Sequence, residues 1–155
     1  MKKCDIDDTI NFIRSVYNEQ EYINLHEPQF AGNEKKYLLE TIDSTFVSSV
    51  GPFVNQFEGD MSKLTDTKRA VAVANGTCAL QISLQLAGVK SEDEVLTQAL
   101  TFVATANSIS YLKATPIFID VDLDTMGLSP SALKEFLEQN VELKNDGSYN
   151  KKTGK

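Results

Sequence analysis

Residues 69–87 leave few folds open to this chain. A short apolar run, Ala70-Val71-Ala72-Val73-Ala74, meets an Asn75-Gly76-Thr77 step and continues into an almost wholly apolar helical segment over 79–87. Segments without a polar face have to be covered on every side. The pattern therefore predicts a buried strand, a tight turn and a buried helix.

The same alternation recurs downstream. Residues 94–98 and 116–119 read as two more buried strands, separated by a helix over about 103–112. Strands alternating with helices predict an α/β fold, a mostly parallel sheet with helices on both faces. Ser129-Pro130, a capping serine followed by proline at the first helical position, opens a helix to about residue 139. From residue 140 onward the chain is polar and reads as surface loop or the start of a hairpin.

Upstream, residues 5–22 place Ile10, Ile13, Val16 and Tyr17 on one stripe of an amphipathic helix, with acidic residues in its first turn. Leu25-His26-Glu27-Pro28 is extended, since a residue before proline avoids helical geometry. Asn33 caps a second helix to about residue 42. Gly51-Pro52 starts a third, on which Phe53, Phe57, Met61 and Leu64 are expected to face the core. The expected division is a helix and extension over 1–25, followed by one domain portion over 26–155.

A hydrophobic fraction of 41% in 155 residues is enough for a real core. The net charge of −7 argues against nucleic acid or anionic lipid as partner. No apolar run reaches the roughly 20 residues that span a bilayer, and the start Met1-Lys2-Lys3-Cys4 lacks a signal-peptide core, so a cytoplasmic protein is expected. Cys4 and Cys78, far apart in sequence, read as reduced thiols.

Asn75-Gly76-Thr77 sits where a strand passes into a helix, so its amides point out of a helix N-terminus, a place that binds anions. A purely structural turn has the same signature. It is neither a P-loop nor a Gly-x-Gly-x-x-Gly fingerprint. Phe102, just past the second strand, is expected at the same carboxyl-end rim, where an aromatic side chain either stacks on a flat ring or packs in the core. Thr105 and Asn107 follow on the next helix as rim contacts or helix surface. Asp120, Asp122 and Asp124 imitate the start of a calcium loop, but Thr125 stands in place of its glycine and Ser131 in place of its glutamate. No metal site is expected. Cys78 in the first helical turn reads as a small packed side chain, and His26 has no serine or cysteine partner at motif spacing.

Five blocks, in order, resemble the DegT/DnrJ/EryC1/StrS sugar aminotransferases. They are Leu25-His26-Glu27-Pro28, Phe46-Val47-Ser48-Ser49-Val50-Gly51-Pro52, Ala72-Val73-Ala74-Asn75-Gly76-Thr77, Leu100-Thr101-Phe102-Val103-Ala104-Thr105-Ala106-Asn107, and Pro116-Ile117-Phe118-Ile119-Asp120-Val121-Asp122. The resemblance is strongest to the LegC-type branch associated with legionaminic acid.

That resemblance implies the N-terminal part of a fold-type I large domain, a three-layer α/β/α arrangement, with pyridoxal 5′-phosphate as cofactor. It implies that Gly76 and Thr77 hold the cofactor phosphate, that Phe102 covers the pyridine ring and that Asn107 lies at the same site. His26, Ser48, Ser49 and Gly51 are implied as contacts to substrate or to the second subunit of a homodimer. The implied reaction moves an amino group, from glutamate, to a nucleotide-linked 4-keto-6-deoxy sugar. The Schiff-base lysine and the acid facing the pyridine nitrogen are implied to lie downstream, so none of the lysines present is assigned that role. The first strand is implied to pair with strands formed later, which leaves the 155 residues alone inactive and unstable. A sugar dehydratase of the same superfamily and a non-catalytic binding module are the alternative readings.

Overall fold

The computed structural model describes residues 3–18, 22–24 and 26–155. Leu25, part of the expected extended stretch, lies outside the described residues, as do residues 19–21 at the end of the expected first helix and the Cys4 side chain. The chain divides into two compact units, Met1–Phe57 and Glu58–Lys155.

The first unit is helical. α1 spans Lys3–Tyr17, α2 Glu34–Asp43, and α3, Pro52–Leu64, starts in this unit and runs into the second. Proline at the first position of α3 suits the helix start, where no intrahelical acceptor exists for an amide. Asn33 precedes α2 as expected, but its side chain makes no cap bond. The Glu34 carboxylate instead accepts the Gly32 amide at 2.9 Å. Tyr37 and Phe53 hold α2 and α3 together, their ring centroids 5.5 Å apart.

The second unit carries the sheet. α4 spans Gly76–Leu86, β1 Glu94–Gln98, α5 Val103–Tyr111, β2 Thr115–Ile119, α6 Pro130–Asn140, β3 Val141–Lys144 and β4 Gly147–Asn150. β1 and β2 are parallel, in the register Glu94 to Thr115 through Gln98 to Ile119, and α5 is the crossover between them. Its core gathers Ile109, Ala114 and Ile119 with the polar side chains of Thr97, Ser108 and Ser129. Ser129 caps α6 by accepting the Ala132 amide at 3.3 Å, with Pro130 next in line, as the sequence predicts. The polar end resolves into an antiparallel hairpin, β3 to β4. Asn150 Nδ2 and Thr153 Oγ1 donate to the two oxygens of Glu94, each at 2.7 Å, so the hairpin docks at the amino end of β1.

Three expectations are corrected. The helix expected to be buried, α4, has no buried residue, and Leu80, Ile82 and Leu86 are exposed, because the 155 residues offer no layer that covers it among those described. Residues 69–74 form no strand, because a ladder needs a partner and none is present among the described residues. Val71 is 80% exposed there, and the Ala72 amide is taken by the Glu58 carboxylate at 2.8 Å. On α3 the helical spacing is right, yet Phe57 and Leu64 are exposed rather than buried. Periodicity sets which residues share a face, not whether that face is covered. Among the described residues, no helix is long and apolar enough to cross a membrane.

Candidate functional site

α4 begins at Gly76 because Asn75, with extended backbone, accepts the Cys78 amide on its side-chain oxygen at 2.9 Å, while its carbonyl takes the Ala79 amide. Helical geometry leaves the amides of Gly76 and Thr77 with no intrahelical acceptor. They project at the positive end of the helix dipole. A methyl group added at Gly76 would meet no protein atom within 4 Å, so open space lies directly over this turn.

β1 delivers the opposite wall. Past Gln98 the chain turns through 99–101 to Phe102, the extended residue that precedes α5. The Thr105 amide donates to the Phe102 carbonyl at 3.0 Å, and the hydroxyls of Thr101 and Thr105 are 2.9 Å apart. Phe102 is 78% exposed, so it is not packed in the core formed by the described residues.

Between these walls lies an open, mainly apolar cleft of about 530 Å³, with Gly76, Thr77, Leu80 and Ser83 on one side and Phe102 and Thr105 on the other. Its shape combines an anion-binding helix start with an exposed flat ring, a pairing suited to a phosphorylated aromatic compound. No lysine, histidine or carboxylate lines it among the described residues, so its attraction for an anion comes from backbone dipoles.

Asn107 is half-buried on α5 and does not line this cleft. In the first unit, Ser48 and Gly51 border a hollow of about 300 Å³ beside Phe46 and Phe53, while His26 borders a different one of about 340 Å³ with Tyr22 and Glu27. Ser49 is exposed and borders neither. The four residues expected as substrate or dimer contacts are thus not gathered at one place.

Two residues beside the cleft's walls were not singled out from the sequence. Gln98, at the carboxyl end of β1, donates through Nε2 to the Leu100 carbonyl at 2.5 Å. Ser108, wholly buried in α5, places its hydroxyl 3.2 Å from the Thr77 carbonyl. Ser108 shares α5 with Thr105, Asn107 and Ser110, so no local signal singled it out.

Comparison with known proteins agrees with the fold. The model of the DegT/DnrJ/EryC1/StrS aminotransferase family matches residues 28–142. EpsN of Bacillus subtilis, assigned as a pyridoxal phosphate-dependent aminotransferase, is 44% identical over 117 residues, 76% of this chain and 30% of EpsN. GDP-perosamine synthase of Escherichia coli O157:H7 is 39% identical over 114 residues, 74% of this chain and 31% of that enzyme. The crystal structure of an aminotransferase from Psychrobacter cryohalolentis superimposes with a TM-score of 0.64 at 33% identity, covering 70% of this chain and 28% of that one. The chain thus spans about a third of the length of the relatives it matches.

Proposed function

The chain belongs to the DegT/DnrJ/EryC1/StrS aminotransferase family, and from that premise we propose that the whole protein transfers an amino group from an amino acid to the keto carbon of a nucleotide-linked 4-keto-6-deoxy sugar. The cofactor is pyridoxal 5′-phosphate. The observation that carries this reading is the cleft itself, which sets the free amides of Gly76 and Thr77 opposite the exposed ring of Phe102.

The residues present fit the cofactor. Open space over Gly76 leaves room for a phosphate to approach the backbone, and the Thr77 hydroxyl adds a donor beside it. Phe102 offers an apolar face to the pyridine ring. When bound, the cofactor supplies an electron-accepting ring and the carbonyl that carries nitrogen from donor to acceptor. The work of this chain is binding and orientation. We assign no proton transfer or covalent step to it, since the cleft has no ionisable side chain among the described residues.

GDP-perosamine synthase, a relative whose name carries a nucleotide sugar, supports the substrate class. Within it we propose the branch that serves legionaminic acid and related sugars, on the five sequence blocks. Glutamate as donor, a homodimer in the cytoplasm, and inactivity of the 155 residues alone belong to the same proposal. Our division of the chain remains a leading helix over 1–25 and a part of the cofactor domain over 26–155.

The test is to incubate the full-length protein with pyridoxal 5′-phosphate, glutamate and a panel of nucleotide-linked 4-keto-6-deoxy sugars. The expected product carries a primary amine at the former keto carbon, matched by formation of 2-oxoglutarate. A protein that binds the cofactor but aminates no sugar with any amino donor would overturn the proposal.

A further inference from the structure

Ser108 stands out from its surroundings. It is 0% exposed, next to buried Ile109, in a helix where alanine would fill the space with higher helical propensity and no polar atom to satisfy. Its one hydroxyl proton is shared between the Ala104 carbonyl one turn back, at 2.7 Å, and the Thr77 carbonyl in the first turn of α4, at 3.2 Å. The first contact is ordinary back-bonding within a helix. The second crosses between elements and joins residues 31 positions apart.

Those elements are the two walls of the cleft. Thr77 belongs to the turn whose amides are free, and α5 begins directly after Phe102. Six residues of helix, about 9 Å, separate Ser108 from Phe102. The Thr105 amide fixes Phe102 to the first turn of the same helix. A displacement of α5 against α4 therefore changes the distance from the anion-binding turn to the ring.

We infer that Ser108 is a positioning residue, which sets the spacing between the phosphate-binding turn at Gly76 and Thr77 and the Phe102 ring through the longer arm of its shared hydrogen bond, the one to the Thr77 carbonyl. This rests on the cofactor reading above. A ligand that spans both walls senses that spacing. One that touches the turn alone does not.

The experiment measures binding, not turnover. Full-length wild-type and Ser108→Ala proteins are titrated with pyridoxamine 5′-phosphate, which needs no covalent anchor, and separately with inorganic phosphate, which reports on the turn alone. Loss of one buried hydrogen bond should weaken pyridoxamine 5′-phosphate about fivefold in the variant, with phosphate affinity within about twofold of wild type. Ser108→Cys, close in volume and a weak donor, is expected to fall between the two and serves as the test variant if the alanine protein does not fold. Unchanged pyridoxamine 5′-phosphate affinity, or an equal loss for both ligands, would overturn the positioning role alone. Failure of the wild-type protein to bind pyridoxamine 5′-phosphate would overturn the cofactor reading and this inference with it.

Discussion

The side-chain oxygen of Asn75 lies 2.9 Å from the amide nitrogen of Cys78, closing the first turn of α4 directly beneath the cleft. This cap takes one of the amides that a helix start leaves free and so decides which remain for a ligand. Asn75→Ala should destabilise the protein by about 1 kcal/mol, and Asn75→Gly by only a few tenths. Urea unfolding of the three proteins checks this. No loss of stability in the alanine variant would show that the cap contributes nothing.

Gly76→Ala should separate stability from binding. The new methyl group meets no protein atom, and alanine lowers the entropy of the unfolded chain, so stability is expected to hold or rise by about 0.4–1 kcal/mol. The same methyl group occupies the approach to the free amides. Affinity for pyridoxamine 5′-phosphate and for inorganic phosphate should both drop about tenfold, the loss of one charge-assisted hydrogen bond. Thermal melting and ligand titration on one preparation read both effects.

Removing the Phe102 ring should do the reverse to ligand choice. Because the side chain is mostly exposed, Phe102→Ala is expected to change stability by less than about 0.5 kcal/mol. Pyridoxamine 5′-phosphate should bind about two- to tenfold more weakly, and inorganic phosphate unchanged. A variant that loses phosphate affinity would place the ring's contribution in the fold rather than in stacking.

Docking of the C-terminal residues should depend on pH. Lys155 Nζ donates to Glu92 Oε2 at 2.7 Å. That hydrogen bond first, and the lysine charge second, hold the Glu92 carboxyl below its ordinary pKa. The same hydrogen bond and the carboxylate charge raise the Lys155 amine above its own. With Glu92 depressed, the stabilisation is complete above the ordinary carboxylate range and disappears as pH falls through the depressed value. With Lys155 raised, it is complete below the ordinary lysine range and disappears as pH rises through the raised one. Protection of the amides of residues 150–155, measured against their intrinsic exchange rates, should therefore hold through neutral pH and fall at the acid end, and Glu92→Gln should flatten that acid limb. Because the pair is exposed, added salt should weaken the effect.

Much of the second unit is legible from local chemistry. Ser129-Pro130 announces α6 and Asn75 announces α4, each through a side-chain oxygen that sequence alone can assign to a cap. The apolar runs that become β1 and β2 are equally plain. Residues 69–74 carry the same apolar signal, yet a strand exists only when another backbone supplies its hydrogen bonds, and no local pattern encodes that partner. The stripe holding Phe57 and Leu64 fails for a related reason. At the site, Gly76, Thr77 and Phe102 could be read because each sits where an apolar stretch passes into a helix. Ser108 could not, since its importance comes from a carbonyl 31 positions away. The clamp of Glu94 on Asn150 and Thr153 spans still longer separations.

Glu94 and Gln98 close the two ends of β1, about 13 Å apart at the rise of a strand. The hairpin is fastened at the first, and the loop to Phe102 departs from the second. A dye, an affinity handle or a surface linker attached at the 145–146 turn would therefore be carried by the hairpin fastened at the amino end of β1, whereas the loop to Phe102 leaves from its carboxyl end. Such a label would let the protein be immobilised or followed by fluorescence with its binding face left open to solution.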